Sequence, residues 1–257
     1  TLVKSSAASD VYKRQVKHDM TYQEPNLDLI DEWAEAWSYS LIKASNKLAM
    51  EKGACPGTQE TKYGHGITPN MTYKKEVDEL VKHKERQNWQ ELRKNLKEHG
   101  IRNSTLMALM PAETSAQISN STNGIEPPRG YISIKQSKHG VLKQVVPGFP
   151  YYKNRYDLLW DQKSPQGYLK IMAVLQKYID QGISVNTSYN PEHFEDEKVP
   201  MSVLIQDLLM FYKYGGKQLY YNNTFDGQGE IDVHKDDKLE ELPLGEIDDE
   251  DCESCKI

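Results

Sequence analysis

Apolar positions recur at three- and four-residue spacing from Leu29 through Trp33, Trp37, Leu41, Ala44 and Leu48, with Gly53 as the expected stop. This is the period of an amphipathic helix. Two more polar helices are expected. One lies near Thr72 to Val81, and the other opens at the N-cap candidate Asn88, runs through Trp89, Leu92 and Leu96, and ends at Gly100. Their sparse apolar positions predict surface helices. Three short apolar runs then read as strands alternating with helices. Thr105 to Met110 ends at Pro111; Ser184 to Ser188 follows a helix with Leu169, Met172, Leu175 and Ile179 on one face; Gln218 to Tyr221 follows a helix with Leu204, Leu208 and Phe211. That order predicts an α/β sheet or barrel. Tyr131 to Ile134 and Val141 to Val146 flank Ser137 to Gly140 and predict a β-hairpin.

The two ends break this pattern. Thr1 to Gln15 has no period and resembles translated adapter sequence, so it is set aside, and an upstream part of the natural protein is expected to be missing. From Asp226 onward the chain carries a net charge of about −10 and few apolar groups, which predicts a disordered acidic arm. The expected division is therefore 1–15, a structured body over 16–225, and a flexible tail over 226–257. Across the whole chain the net charge of −6 argues against a general nucleic-acid binder, because neutralising phosphates takes a lysine and arginine surplus. No stretch approaches the ~20 apolar residues of a membrane span, and no secretory core is present, so a cytoplasmic protein is expected.

Three segments carry candidate chemistry. Pro111, Ala112, Glu113, Thr114 and Ser115 follow an apolar run and open an expected helix, where free backbone N–H groups and two hydroxyls suit an anion such as phosphate. Simple capping by Thr114 or Ser115, with Glu113 as a first-turn acid, explains the same residues. Tyr220 and Tyr221 end the last strand candidate. A tyrosine passes an electron and a proton together, so two in tandem suit a relay, although aromatic pairs are also ordinary strand residues. Cys252 and Cys255 stand on the tail with two residues between them, close enough to close and reopen a disulfide. A zinc half-site lacks two further ligands at usual spacing, and an inert exposed pair is the other alternative. Acidic neighbours Asp251 and Glu253 raise thiol pKa values, which favours a shuttle over a strong nucleophile. Cys55 reads as a packing residue.

The run Arg102 to Thr105 through Pro111 to Ser115 and on to Asn123-Gly124-Ile125-Glu126-Pro127-Pro128-Arg129-Gly130 resembles the large, catalytic subunit of class I ribonucleotide reductase. Ser40 to Asn46, Gly53 to Pro56, Asp180-Gln181 with Asn186, Lys217 to Tyr221 and the ending Cys252 to Ile257 extend the likeness over residues 40–257. The resemblance implies a ten-stranded α/β barrel, of which this chain holds the C-terminal part. It implies radical-based reduction of ribonucleoside diphosphates to deoxyribonucleoside diphosphates. Ala112 to Ser115 are then expected to hold the substrate diphosphate, and Tyr221 then Tyr220 to relay the oxidising equivalent from a metal-containing small subunit. Cys252 and Cys255 are expected to re-reduce the active-site disulfide before being reduced by thioredoxin or glutaredoxin. A homodimer of the full-length subunit is also implied, with no cofactor or metal held by this segment. In the enterobacterial-type pattern the two tail cysteines stand further apart than here. The thiyl-forming cysteine and its neighbours belong to preceding segments of the family, so the piece alone is expected to be inactive. A cobalamin-dependent reductase is the runner-up, against which the tyrosine pair speaks, and a non-catalytic partner-docking and redox-tail module is the reading from another class.

Overall fold

The first helix, α1 (Leu27–Lys52), forms where the apolar period places it. Asn26 accepts a hydrogen bond from the Leu29 amide at 3.1 Å, and Gly53 ends the helix at a φ of 82°, which favours glycine. The computed structural model describes residues 20–82, 84–109, 120–122, 124–137 and 140–226, all within the unit Thr1–Asp226. The expectations for residues 1–15, for Pro111 to Ser115 and for the tail with Cys252 and Cys255 lie outside the described residues.

The buried stripe of α1 is not the one its leucines and tryptophans trace. Ile30, Asp31, Ala34, Glu35, Ser38 and Ile42 face the core, while Ala44 and Leu48 are exposed. The true stripe is offset by one residue, roughly 100° around the helix. Its polar members are buried because each has partners. Asp31 accepts from Lys177 Nζ at 3.0 Å, Tyr178 OH at 2.9 Å and Arg86 Nη1 at 2.7 Å. Glu35 accepts from the Arg86 amide at 2.7 Å and from Trp89 Nε1 at 2.9 Å. Ser38 donates to the Tyr178 carbonyl at 2.9 Å. A buried carboxylate is tolerated only when it is paired and hydrogen-bonded in this way.

Helix α2 (Trp89–His99) has the expected ends, with Asn88 Oδ1 accepting from the Glu91 amide at 3.2 Å and Gly100 closing the last turn. Only its polar side is a surface, since Trp89, Leu92 and Leu96 are buried. The helix expected over Thr72 to Val81 is instead a single 3-10 turn, Lys75–Glu79, preceded by another at Pro69–Met71. Within this stretch Val77 and Val81 are the buried apolar side chains, too small a face to hold a short helix. A hydrogen bond from Tyr73 OH to Asp78 Oδ2 at 2.8 Å ties the stretch between the turns to the second one.

The hairpin forms as expected. Strands β1 (Ile132–Ser137) and β2 (Gly140–Val145) pair antiparallel from Ile132↔Val145 to Ser137↔Gly140. After the single turn α3 (Phe149–Tyr152), helix α4 (Gln166–Gln176) is buried along nearly its whole length. Gly167 lets it in: a Cβ there would lie 1.5 Å from the Tyr22 carbonyl oxygen. Strand β3 (Ser184–Tyr189) alternates half-buried and buried positions, with Val185, Thr187 and Tyr189 inward. Helix α5 (Met201–Lys213) follows, then β4 (Gln218–Thr224), which pairs with β3 in parallel. A parallel pair joined by a helix is the unit of α/β architecture.

Two expectations fail here. Of Leu204, Leu208 and Phe211 on α5, only Phe211 is buried, and Ile205, Leu208 and Leu209 are 48–60 % exposed. Thr105 to Leu109, the described part of the first strand candidate, is not a strand. Met107 and Leu109 are buried as a strand would bury them, yet the amides of Leu106 and Met107 donate to the Asp180 carboxylate at 2.8 and 3.1 Å rather than to a neighbouring strand. No described helix is long and apolar enough to cross a membrane.

Candidate functional site

Tyr220 and Tyr221 sit in the middle of β4, and side chains of consecutive strand residues normally point to opposite faces. Here the two ring centroids are 4.3 Å apart, inclined at 58°. The register explains how. Val185 faces Leu219 and Thr187 faces Asn222, so two steps along β3 match three along β4. The extra residue is a β-bulge, with Tyr220 and Tyr221 together opposite Asn186. It breaks the alternation and brings both phenols into contact.

The bulge also leaves a backbone donor without a ladder carbonyl, and a side chain fills that place. The Tyr221 amide donates to Asn186 Oδ1 at 3.0 Å. Asn186 Nδ2 in turn donates to Glu126 Oε1 at 2.6 Å. Glu126 belongs to the Gly124 to Gly130 segment, brought beside β3 by the Leu159 amide donating to the Pro128 carbonyl at 2.9 Å. Burial lifts the Glu126 carboxyl above the ordinary glutamate range, against the opposing pull of the Asn186 amide and the Arg129 charge. Behind it lies Tyr168 on α4, whose phenol is raised by complete burial and by the Glu126 charge. Tyr220 and Tyr221 themselves are open to solvent, 56 % and 57 % exposed. The Tyr221 phenol is raised chiefly by the Tyr220 hydroxyl beside it. The pair is therefore a couple of phenols in ring contact, one side open to solvent and the other fixed through its backbone to a partly buried polar chain.

A second arrangement positions the segment that enters Pro111. Asp180 Oδ2 accepts from the Leu106 amide and from Tyr63 OH at 2.9 Å, while Oδ1 accepts from the Met107 amide. Burial first, then the Asp180 charge, raises the Tyr63 phenol, so it stays a donor. The same carboxylate borders a cavity of about 620 Å³ that Lys177 and Lys217 also line. Lys217 is lowered by partial burial and by the Lys62 charge, with Asp180 opposing. The cavity does not include the tyrosine pair. Among the described residues no cluster of three His, Cys, Asp or Glu side chains suits a metal ion.

Of the residues singled out in the sequence, the structure thus brings Tyr220 and Tyr221 together. Pro111, Ala112, Glu113, Thr114, Ser115, Cys252 and Cys255 lie outside the described residues. Sequence reasoning assigned no role to Asn186, Glu126 or Asp180. The available signal was their membership in the matching motifs, since their partners lie 35 to 117 residues away.

The profile of the family described as "Ribonucleotide reductase, barrel domain" matches residues 14–152 and 148–222. The chain is 53% identical over 225 residues to ribonucleoside-diphosphate reductase 1 subunit alpha of Salmonella typhimurium, covering 87% of this chain and 28% of that protein. It is 55% identical over 210 residues to the subunit alpha of Haemophilus influenzae, covering 82% and 28%. To the subunit alpha of Enterobacteria phage T4 it is 44% identical over 239 residues, covering 92% and 30%. The chain spans less than a third of the length of these relatives. On the extent of the profile match, the chain belongs to the ribonucleotide reductase barrel-domain family.

Proposed function

We propose that this chain forms part of the catalytic barrel of a class I ribonucleoside-diphosphate reductase large subunit, and that Tyr220 and Tyr221 relay the oxidising equivalent into it. The observation that carries the reading is the bulge that sets two consecutive tyrosine rings in contact on an exposed strand. In the relay, an electron leaves the Tyr221 ring toward an oxidant on the small subunit and its phenolic proton leaves with it. The Tyr221 phenoxyl then takes an electron and the hydroxyl proton from Tyr220, which restores Tyr221 and moves the radical one residue inward. A cysteine thiol in another segment of the subunit gives up a hydrogen atom next, restoring Tyr220. The open face of the pair suits a macromolecular partner, and the direct contact suits short-range transfer.

The remaining roles follow the family resemblance. Pro111 to Ser115 cradle the substrate diphosphate, and β3 and β4 are two strands of a ten-stranded barrel. Each turnover replaces the ribose 2′-hydroxyl by hydrogen, releases water and oxidises two active-site thiols to a disulfide. Cys252 and Cys255 reduce that disulfide by exchange and become a disulfide themselves, which thioredoxin or glutaredoxin then reduces. The test is an alpha subunit carrying this segment in place of the matching region of the Salmonella relative. Mixed with the small subunit and a thioredoxin system, it is expected to form deoxyribonucleoside diphosphate. No product from a folded hybrid, with the unmodified relative active in parallel, overturns the reading.

A further inference from the structure

We propose that Asn186 is a positioning residue for the tyrosine pair, and that Glu126 sets it by fixing which end of the Asn186 carboxamide faces β4. The inference rests on the relay reading and adds two residues to it.

A carboxamide has one acceptor end and one donor end, and only one orientation serves the bulge. Oδ1 must face β4, because the Tyr221 amide is a donor with no ladder carbonyl opposite it. Turned over, Nδ2 would confront that N–H, and the bulge would lose the bond that stands in for its ladder partner. Glu126 selects the productive orientation: its Oε1 accepts from Nδ2 at 2.6 Å and would repel Oδ1. The bulge in turn holds both rings on one side with centroids at 4.3 Å. Pairing without the extra residue sends successive side chains to opposite faces and parts the phenols. Asn186 thus acts through the backbone of Tyr221, at the one place on β4 where pairing register decides whether the phenols meet. The groups that face Glu126 are the Arg129 charge, the Tyr168 phenol and the Asn186 amide, so its ionisation is sensed directly at Asn186.

The chemistry of the two side chains is reciprocal, which makes the test specific. Asn186→Asp keeps the acceptor for the Tyr221 amide but puts two carboxyl groups in contact. The pair holds while Glu126 is protonated and donates, and separates once both are charged. Adding Glu126→Gln supplies a donor at every pH, since the Gln amide replaces the Asn amide as the member that gives the hydrogen bond.

The experiment uses the complete alpha subunit carrying this segment, with the radical-bearing small subunit, substrate and effector. The easily oxidised analogue 3-aminotyrosine is placed at position 220 or 221, and the trapped radical is counted by electron paramagnetic resonance. With Asn186 intact, radical is expected at both positions. With Asn186→Ala, trapping at 221 is expected to persist while trapping at 220 falls at least tenfold. Asn186→Asp should lose trapping at 220 progressively as pH rises, and the Asn186→Asp, Glu126→Gln double variant should keep it at the pH where the single variant has lost it. Radical at 220 within twofold of the intact protein in the Asn186→Ala variant overturns the inference and leaves the relay standing. An unrecovered double variant that melts with the parent overturns the role of Glu126. Absence of radical at both positions in the parent, beside an active reductase, overturns the relay and this inference with it.

Discussion

Asp180→Asn separates the charge of this carboxylate from its shape. Asp180 accepts three hydrogen bonds, from the Leu106 amide at 2.8 Å, the Met107 amide at 3.1 Å and Tyr63 OH at 2.9 Å. The amide isostere keeps one acceptor oxygen and turns an NH₂ group toward at least one of those donors. A hydrogen bond to a charged group contributes about 1.5–3 kcal/mol, and leaving a buried donor unmatched adds to the loss, so local destabilisation of about 2–3 kcal/mol is expected. At 1.4 kcal/mol per factor of ten, hydrogen exchange at Leu106 and Met107 should quicken roughly 30- to 150-fold if it proceeds by local opening. Mass spectrometry of peptides covering residues 104–109 reads this, with peptides from α2 as the unaffected reference. Tyr63→Phe removes the side-chain donor alone and should have the smaller effect. Exchange within threefold of the parent in Asp180→Asn would refute the claim that this carboxylate, rather than packing around Met107, holds the segment leading to Pro111.

Three further outcomes follow from other parts of the structure. Lys177→Met should lower the urea midpoint by the equivalent of about 3–5 kcal/mol, because it leaves the fully buried Asp31 with one cation fewer, and a loss under 1 kcal/mol would mean that Arg86 and Tyr178 suffice. Glu126→Gln should give a pH-dependent gain: burial raises the folded carboxyl, so the native state holds that proton more tightly than the unfolded chain and loses stability as pH climbs through the raised value. The melting temperature of the variant relative to the parent should therefore rise between pH 4.5 and pH 8, and a fall would show that the Arg129 attraction outweighs burial. Ile205→Lys with Leu209→Lys should reduce self-association of the isolated chain in light scattering, since both side chains stand on the exposed apolar side of α5, and unchanged association would point to β4 instead.

What the sequence made legible were the features written locally. Gly53 as the stop of α1, Asn88 and Gly100 at the ends of α2, and the hairpin around residues 137–140 all follow from neighbours in the chain. The stripe of α1 did not, because Asp31, Glu35 and Ser38 look solvent-facing until Arg86, Lys177 and Tyr178 are brought to them from 51 to 147 residues away. Thr105 to Leu109 has the composition of a strand, but a side-chain carboxylate takes the amides that a strand would pair. The tyrosine dipeptide stood out as chemistry in the sequence, yet regular alternation would have kept its rings apart. The bulge that joins them is a register fact, and register depends on pairing between residues 35 apart.

The relay is tested most directly by the turnover of Tyr220→Phe and Tyr221→Phe in the complete alpha subunit carrying this segment, with the small subunit and thioredoxin supplied. Phenylalanine keeps the ring and removes the hydroxyl, so each variant is expected to fold, to bind ribonucleoside diphosphate with the parent's affinity and to form no deoxyribonucleotide above background. Turnover within a few-fold of the parent in either variant would contradict the account.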